Sequence, residues 1–425
     1  MNDFIVVNAR ILTLDGGELP RRGKEMENLG IIDRGYVLVR DGLIEQVESG
    51  KPDESVYEQS DELVVIDAEG RVLMPTFIDC HTHSCWAGSR LDEFEAGLRG
   101  VPYLELLSQG GGIMSTVRAV REASQDELTT NLIGRIALMA SLGTTVVEVK
   151  SGYGLTTEDE LKMLRSIHDA SQEIPQLISG TFLGAHAIDP EIDHFVDRTI
   201  KETLPAIVDE FPNITCDAYC EEGAWSVDET TRLFEKAIDL GCHVRVHVDQ
   251  FHSLGMLPRA VELGAVSVDH LEHSTDEELR VLSNSPTIGV LLPASGFCLH
   301  DAYARGRAMI DMGCAIAVAT NFNPGSAPAP SMPFAIALSC RRLGLTPAEA
   351  VTATTVNASC VLGLQDRVGR IKKGLRGDVQ LLDCCDEREL AWQICGGGPL
   401  LVSIHGKIVH LLSDGAIDQE DENTE

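Results

Sequence analysis

Short apolar runs alternate along most of the chain with longer stretches in which apolar residues recur at helical spacing. The first pattern is typical of buried strands and the second of amphipathic helices. The runs that predict strands lie at 73–80, 144–150, 178–185, 214–221, 243–248, 265–270, 287–293 and 315–320. Strands that alternate with helices indicate parallel pairing through crossover helices. Eight of them predict an α/β fold with a (β/α)8 TIM barrel, and a doubly wound open sheet is the alternative.

The ends of the predicted helices carry capping signals. Ser226 with Glu229, and Ser274 with Glu277, have the spacing of an N-terminal capping box. Glycine, which suits the residue after a helix, follows several of the helical stretches, at Gly241, Gly264 and Gly313. These signals support the alternation of strands and helices.

Short strand-like segments occupy both ends of the chain. They lie at 4–14, 36–47, 62–67, 378–383 and 400–410. Neither end has enough strands for a stable sheet, so we expect the two ends to form one small β-sandwich domain together. The expected organisation is residues 1–70 and 368–413 for this domain, 71–367 for the barrel and 414–425 for an acidic disordered tail.

Composition narrows the class of protein. The 425 residues are 44% hydrophobic and 24% charged, which is ordinary for a soluble globular protein. No apolar run approaches the roughly 18 residues of a membrane span, and the start lacks a basic signal region, so we expect a cytoplasmic protein. The 12 cysteines form no Cys-x-x-Cys pair, which indicates free thiols. The net charge of -32 argues against nucleic acid or anionic membrane as partners.

The segment from Asp79 to His83 closes the first predicted barrel strand with a His-x-His pair. Side chains repeat every second residue along a strand, so His81 and His83 point to one side and can share a divalent metal. Strand ends, where barrels place their working residues, also carry Lys150, Ser151, Gly152, Tyr153, His186, Glu221, Glu222, His247, Gln250, His270 and Asn321. Each histidine alone would more often be a hydrogen-bonded core residue. Together they predict a metal site with the open coordination of a hydrolase.

Several segments closely resemble the imidazolonepropionase family of the amidohydrolase superfamily, in order along residues 73–365. They are Phe77–His83, Trp86–Arg90, Gly110–Ile113, Glu148–Leu155, Thr181–His186, His247–Gln250, Asp269–Glu272, Leu291–Pro293 and Asn323–Ser326. The Lys-Ser-Gly-Tyr-Gly-Leu and Asn-Pro-Gly-Ser segments are specific to this family within the superfamily. The resemblance implies hydrolysis of the cyclic amide of 4-imidazolone-5-propanoate to N-formimidoyl-L-glutamate, in histidine degradation.

The resemblance also implies roles for single residues. One zinc or iron ion would be held by His81, His83, His247 and the residue at position 321. The small-molecule substrate would be bound by Arg90, Tyr153, His186, Gln250, Asn323, Gly325 and Ser326. Catalysis would involve His270 beside the metal-bound water, together with Gln250 and position 321. A homodimer is expected from the family alone.

Asn321 departs from the family, which has Asp in a Thr-Asp-Phe-Asn-Pro-Gly pattern. That Asp is the fourth metal ligand and the proton acceptor. The amide oxygen of Asn321 can coordinate a metal, but it carries no charge and cannot accept a proton at neutral pH. The substitution is compatible with an engineered trap for ligand, with a slower natural enzyme that uses His270 as its base, or with a pocket that binds without turnover.

Two rival functions follow from the same residues. Another amidohydrolase, such as an aminoimidazole or purine deaminase, would release ammonia rather than a formimidoyl amino acid. A non-catalytic binder of metal or ligand, suggested by Asn321 alone, would not turn over imidazolone propionate.

Overall fold

The computed structural model of the protein describes residues 3–58, 63–101, 111–299, 301–394 and 398–411. The expected acidic tail at 414–425 and Gly110 of the glycine-rich segment lie outside the described residues. The strands are β1 Phe4–Leu12, β2 Ile31–Arg40, β3 Leu43–Ser49, β4 Val64–Asp67, β5 Val72–Pro75, β6 Phe77–Asp79, β7 Thr144–Lys150, β8 Leu177–Ala185, β9 Thr215–Cys220, β10 Arg245–Val248, β11 Ser267–His270, β12 Ile288–Leu291, β13 Ile316–Val318, β14 Val379–Leu381, β15 Leu401–Ile404 and β16 Lys407–Leu411.

Most of the helices connect successive strands or flank them. The α-helices are Glu54–Glu58, Leu91–Leu98, Ile113–Glu122, Gln125–Ser141, Thr157–Glu173, Phe195–Arg198, Leu204–Glu210, Val227–Asp239, Met256–Glu262, Asp276–Ser283, Pro293–Cys298, Gly306–Asp311, Met332–Leu338, Pro347–Ala353, Val356–Val361 and Glu389–Trp392. A 3₁₀ turn at Gly23–Glu27 and π turns at Thr199–Thr203 and Ser339–Leu343 complete them. Within the described parts of the chain, no helix is both long and apolar enough to cross a membrane.

Strands β6 to β13 form the predicted barrel. Each pairs in parallel with the next along the chain, so the strand order has no reversal. The first and last strands meet through a parallel bridge between Thr82 and Phe322, and the Asn321 N–H donates to the His81 carbonyl at 3.1 Å. Sequential order and this closure exclude the doubly wound alternative. The barrel prediction is therefore confirmed.

The first predicted strand, 73–80, is not one strand. Val72–Pro75 pairs with β1 and β14 in the other sheet, whereas Phe77–Asp79 pairs with β7 in the barrel. The chain changes sheet at Thr76, whose N–H donates to the Asp378 carbonyl at 3.2 Å, just before the Phe77 N–H bonds to Gly143 at 2.9 Å. A continuous apolar run hides this change, because both halves are buried on both faces.

The two chain ends pair into one mixed sheet, as expected. Its order is β16-β15-β14-β5-β1-β2-β3, with β4 beside β1. The segments expected as single strands at 36–47 and 400–410 contain hairpin turns. These turns place Asp41 and Gly42, and then His405 and Gly406, at positive φ. Two successive left-handed residues suit a tight hairpin turn, which divides each segment into two strands.

The helix signals were mostly located correctly. Ser226 and Glu229 form the expected capping box, whereas the second box is Thr275 with Glu278, one residue later than predicted. Ser274 instead donates to the buried Asp249 carboxylate at 2.6 Å, so its hydroxyl is not available as a cap. The predicted glycines after helices all have positive φ. The described cysteines are all free thiols, as expected.

Candidate active site

Three predicted metal ligands converge at the carboxyl end of the barrel. His81 and His83 follow β6, and His247 lies in β10. Their ligating nitrogens all lie within 4.8 Å of one another, and all three residues are buried. Nε2 of His83 and Nε2 of His247 are 3.3 Å apart. Two ring nitrogens held this close suit a shared cation better than a direct hydrogen bond.

The other ring nitrogens are held by buried carboxylates. Asp269 bonds to Nδ1 of His81 at 2.6 Å, and Asp217 bonds to Nδ1 of His247 at 3.1 Å. These contacts place the protons on Nδ1 and leave Nε2 as a ligand, while the buried Nε2 of His81 has no hydrogen-bond partner in the described parts of the chain. Burial holds the pKa of His81 and of His83 well below the usual range, so both rings are neutral. The three histidines therefore fit a divalent metal ion.

A buried network of charges lies beneath these imidazoles. Lys150 Nζ contacts Glu148 and Asp217, each at 2.7 Å. Arg245 contacts Asp269 at 2.7 Å and Glu148 at 3.1 Å. Burial alone would raise the pKa of Asp217, but His247, Lys150 and Arg245 hold it well below its usual range. Three carboxylates against two cations leave a net negative charge that suits a metal cation.

Lys150 was one of the strand-end candidates, whereas the other four charged residues had no predicted role, although the sequence carries a signal for them. Glu148 and Lys150 alternate in β7, Arg245 and His247 in β10, and Asp269 lies two residues after Ser267 in β11. Polar residues at every second position of an otherwise apolar barrel strand point into the barrel. Only the paired strands show which carboxylate meets which histidine.

Asn321 follows β13, and its N–H donates to the His81 carbonyl at 3.1 Å. Its φ is 56°, a left-handed conformation that asparagine tolerates better than most residues. Its Nδ2 donates to Ser295 Oγ at 2.6 Å, and its buried Oδ1 has no hydrogen-bond partner among the described residues. An unpaired buried oxygen is costly unless something binds it, so Oδ1 fits the position of an oxygen ligand.

His270 reaches the same cluster by an unusual backbone conformation. Its φ is 88° and that of Leu271 is 72°. The ring centroid of His270 is 5.5 Å from that of His247 and 6.0 Å from that of His81. Glu272 bonds to Nδ1 of His270 at 3.2 Å, a partner to which the sequence analysis gave no role.

Tyr153 and His186 form an aromatic wall next to His83. The ring of His186 stacks on that of His83 with centroids 4.8 Å apart, and Tyr153 lies 5.2 Å from His186. Burial lowers the pKa of His186 to about 3, so this ring is neutral. Burial raises the pKa of Tyr153, so its phenol keeps its proton. The His186 imidazole and the Tyr153 phenol can therefore form hydrogen bonds with a small ring as uncharged groups.

Arg90 lies against the turn that follows Asn321. A Cβ added to Gly325 would meet the Arg90 Nη1 at 3.2 Å, so the guanidinium packs on this glycine. Arg90 Nη2 contacts Glu93 at 2.5 Å, and no described residue forms a hydrogen bond with its buried Nε. The Asn323 side chain accepts from the Gly325 and Ser326 N–H groups, so it shapes the turn itself.

A cavity of about 360 Å³ includes in its wall Glu272, the partner of His270. It is lined by Gln250, Phe251, His252, Glu272, His273, Ser295, Gly296, Leu299 and Ala302. Gln250 therefore lies in a cavity wall near Asn321, whose amide bonds to Ser295. The two acids at the end of β9 do not line this cavity. Glu221 accepts from the Phe251 N–H at 2.9 Å, and the Glu222 side chain is exposed.

Comparisons with known proteins agree with this geometry. The chain matches the Amidohydrolase family over residues 72–409. It is 44% identical over 390 residues to the imidazolonepropionase of Symbiobacterium thermophilum, covering 89% of this chain and 91% of that protein. It is 42% identical over 421 residues to that of Herpetosiphon aurantiacus, covering 96% and 97%.

Solved structures resemble the fold across nearly the whole chain. A 5-methylcytosine deaminase from Klebsiella pneumoniae has a TM-score of 0.73 at 16% identity, covering 97% of this chain and 98% of its own. An adenosine deaminase from Xanthomonas campestris, with bound zinc, has a TM-score of 0.70 at 16% identity, covering 99% and 95%. At this identity the likeness shows the shared fold and nothing about the substrate.

Proposed function

We propose that the residues clustered at the carboxyl end of the barrel carry imidazolonepropionase activity. The chain belongs to the amidohydrolase family and, within it, to the imidazolonepropionases. The protein is a hydrolase that opens the cyclic amide C–N bond of 4-imidazolone-5-propanoate and yields N-formimidoyl-L-glutamate. The observation that carries the assignment of residues is the convergence of three buried imidazoles at the carboxyl end of the barrel.

His81, His83 and His247 hold one zinc or iron ion in this proposal, with Asn321 Oδ1 as the fourth protein ligand. Such an ion supplies a hydroxide nucleophile at neutral pH and polarises a carbonyl oxygen. Support comes from the unpaired Nε2 of His81 and the unpaired Oδ1 of Asn321, both buried. Asp217 and Asp269 orient two of the imidazoles.

Arg90 binds the propionate carboxylate of the substrate. Its fork can donate two hydrogen bonds to one carboxylate, and its buried Nε lacks a partner among the residues that the structure describes. Gly325 leaves room for the guanidinium, while Asn323 and Ser326 set the turn beside it. The propionate therefore lies at the edge of the cluster, away from the metal ligands.

The imidazolone ring lies against Tyr153, His186 and Gln250. The Nδ1 of His186 donates to the Gly152 carbonyl at 3.0 Å, which leaves Nε2 as an acceptor for a ring N–H. A neutral phenol on Tyr153 can donate to a ring oxygen or nitrogen. These polar contacts fix which bond of the ring faces the metal.

His270 accepts the proton of the attacking water in this chain. An amide at position 321 cannot accept that proton at neutral pH. His270 lies beside the metal ligands, and Glu272 occupies its Nδ1, so Nε2 is the ring nitrogen that accepts the proton. Glu272 also stabilises the imidazolium that forms when His270 takes the proton.

The test is turnover of 4-imidazolone-5-propanoate by purified, metal-loaded protein. Formation of the formimidoyl amino acid without ammonia supports the proposal, and ammonia release would favour a deaminase. Metal analysis should give about one zinc or iron ion per chain. The double variant His81→Ala, His83→Ala should lose the ion while Glu222→Gln keeps it; full occupancy in the double variant would remove these histidines from the site.

From the family resemblance we also propose a homodimer in the cytoplasm. Sedimentation of the purified protein tests the first point, and fractionation of cells that express it tests the second.

A further inference from the structure

The loop Ser151–Leu155 joins β7 to the helix Thr157–Glu173 and carries two groups of the proposed substrate pocket. One is the Tyr153 side chain. The other is the Gly152 carbonyl, which accepts from Nδ1 of His186 at 3.0 Å. The orientation of both pocket residues therefore depends on the path of this loop.

Glu160 holds the inner side of the loop. Its Oε1 accepts from the N–H groups of Gly154 and Leu155, each at 2.8 Å, and its Oε2 accepts from the Gly152 N–H at 3.0 Å. The side chain is fully buried and lies in no ion pair with any described residue. A buried carboxylate without a cation is costly, and the three backbone donors together with the Ser151 hydroxyl offset that cost.

Arg121 holds the same loop from the other side. Its Nε donates to the Gly154 carbonyl at 2.9 Å, and its Nη2 contacts the Asp189 carboxylate at 2.8 Å. Asp189 is buried and lies in the segment that follows β8, three residues after His186. Arg121 thus joins the two chain segments that carry Tyr153 and His186.

Glycines allow the loop to wrap this closely. A Cβ on Gly154 would lie 2.5 Å from the Glu160 backbone nitrogen, and one on Gly152 would lie 2.7 Å from the Leu183 carbonyl oxygen. Gly152 also has a φ of 106°, which few other residues adopt. The close approach brings the backbone N–H groups to one carboxylate.

We propose that Glu160 and Arg121 are positioning residues that fix Tyr153 and His186 for substrate binding. Glu160 keeps the Gly152 carbonyl where it sets the tautomer of His186, so that Nε2 faces the pocket as an acceptor. Arg121 keeps the two segments in register. The proposal rests on the proposed function, since it concerns the same pocket.

Glu160→Gln tests the carboxylate without changing its volume. If the amide oxygen of the glutamine keeps the hydrogen bonds from the Gly154 and Leu155 N–H groups, its NH₂ group faces the Gly152 N–H. Two donors cannot bond to each other, so Gly152 must move away. KM for 4-imidazolone-5-propanoate should rise about 10- to 100-fold, since small misplacements of binding groups have effects of that size. We expect kcat to change less than about threefold and metal content to stay constant. Glu158→Gln, exposed on the same helix, is the matched control.

Arg121→Gln is a second test of the same loop. It changes a partly exposed side chain and leaves the buried Glu160 carboxylate in place. It should raise KM in the same way, and Arg280→Gln, exposed on another helix, should not. The double variant should raise KM less than the product of the two single effects, because both residues act on one loop. Unchanged KM in both single variants, or equal losses of kcat and metal, would overturn the proposal.

Nitrogen NMR of labelled His186 separates this inference from the proposed function. In the substrate-free parent we expect the proton on Nδ1, and in Glu160→Gln a loss of that single tautomer. This measurement stands even if the parent fails to turn over the imidazolone, which would refute only the proposed function. An unchanged His186 spectrum in Glu160→Gln would refute the inference while leaving turnover in place.

Discussion

At position 321, one amide replaces the carboxylate that the imidazolonepropionase pattern has. Asn321→Asp restores a charged ligand and a proton acceptor, so we expect turnover to rise by roughly 10²–10⁴-fold with little change in KM. The added charge should also tighten metal binding. Steady-state kinetics and metal titration of the two proteins measure both effects.

A gain of less than about threefold, with brisk turnover by the parent, would mean that Asn321 does not limit the reaction. His270 would then be an efficient base without a carboxylate at position 321, and His270→Ala should abolish activity of the parent. If His270→Ala retained activity, the proton transfer proposed here would be wrong.

Arg90 offers a residue-scale test of substrate choice. Arg90→Ala should raise KM by about 10- to 100-fold and leave kcat within a few fold, because a charge-assisted contact is worth about 1.5–3 kcal/mol. Arg90→Lys should recover little, since it lacks the planar fork. Steady-state kinetics measure both, with the exposed Arg198→Ala as control. An unchanged KM in Arg90→Ala would mean that Arg90 packs on Gly325 and does not bind the substrate.

At the scale of elements, β7 combines apolar residues with the buried pair Glu148 and Lys150. Lys150 joins β7 to β9 through Asp217, and Asp217 orients His247. Lys150→Met would leave two buried carboxylates without this partner. The free energy of unfolding should fall by about 3–5 kcal/mol, and metal affinity by about 10- to 100-fold.

Denaturant unfolding and metal titration of the Lys150→Met variant measure these changes. Lys201→Met removes an exposed ion pair on a helix and should change stability by less than about 1 kcal/mol. Equal effects of the two substitutions would show that the network under the metal site is not needed to hold His247.

At the scale of the whole molecule, Asn357 ties the amino-terminal segment to the barrel. Its Oδ1 accepts from the Arg21 N–H at 2.8 Å, and its Nδ2 donates to the carbonyls of Arg21 and Ile316. Asn357→Ala leaves these buried backbone groups unpaired. The free energy of unfolding should fall by about 1–3 kcal/mol for each group that finds no new partner.

Chemical denaturation followed by fluorescence tests this tie, with the exposed Asn284→Ala as control. A loss no larger than that of the control would mean that the amino-terminal segment is held to the barrel by other contacts.

The sequence by itself determined the local features of this protein. Apolar runs located the eight barrel strands, and His81, His83 and His247 were among the histidines at strand ends, from which the family resemblance selected them as ligands. Both signals depend on periodicity and on neighbours in the chain. The departure at Asn321 was visible for the same reason, since the surrounding Thr-x-Phe-Asn-Pro-Gly pattern is local.

Only the tertiary structure decided which distant residues meet. Asp269 is 188 positions from His81, and Asp217 is 30 positions from His247, so no local pattern pairs them. The change of sheet at Thr76 was hidden because both strands around it are apolar. Strand pairing, which depends on the register of the whole barrel, fixed these contacts and with them the tautomers of the histidines.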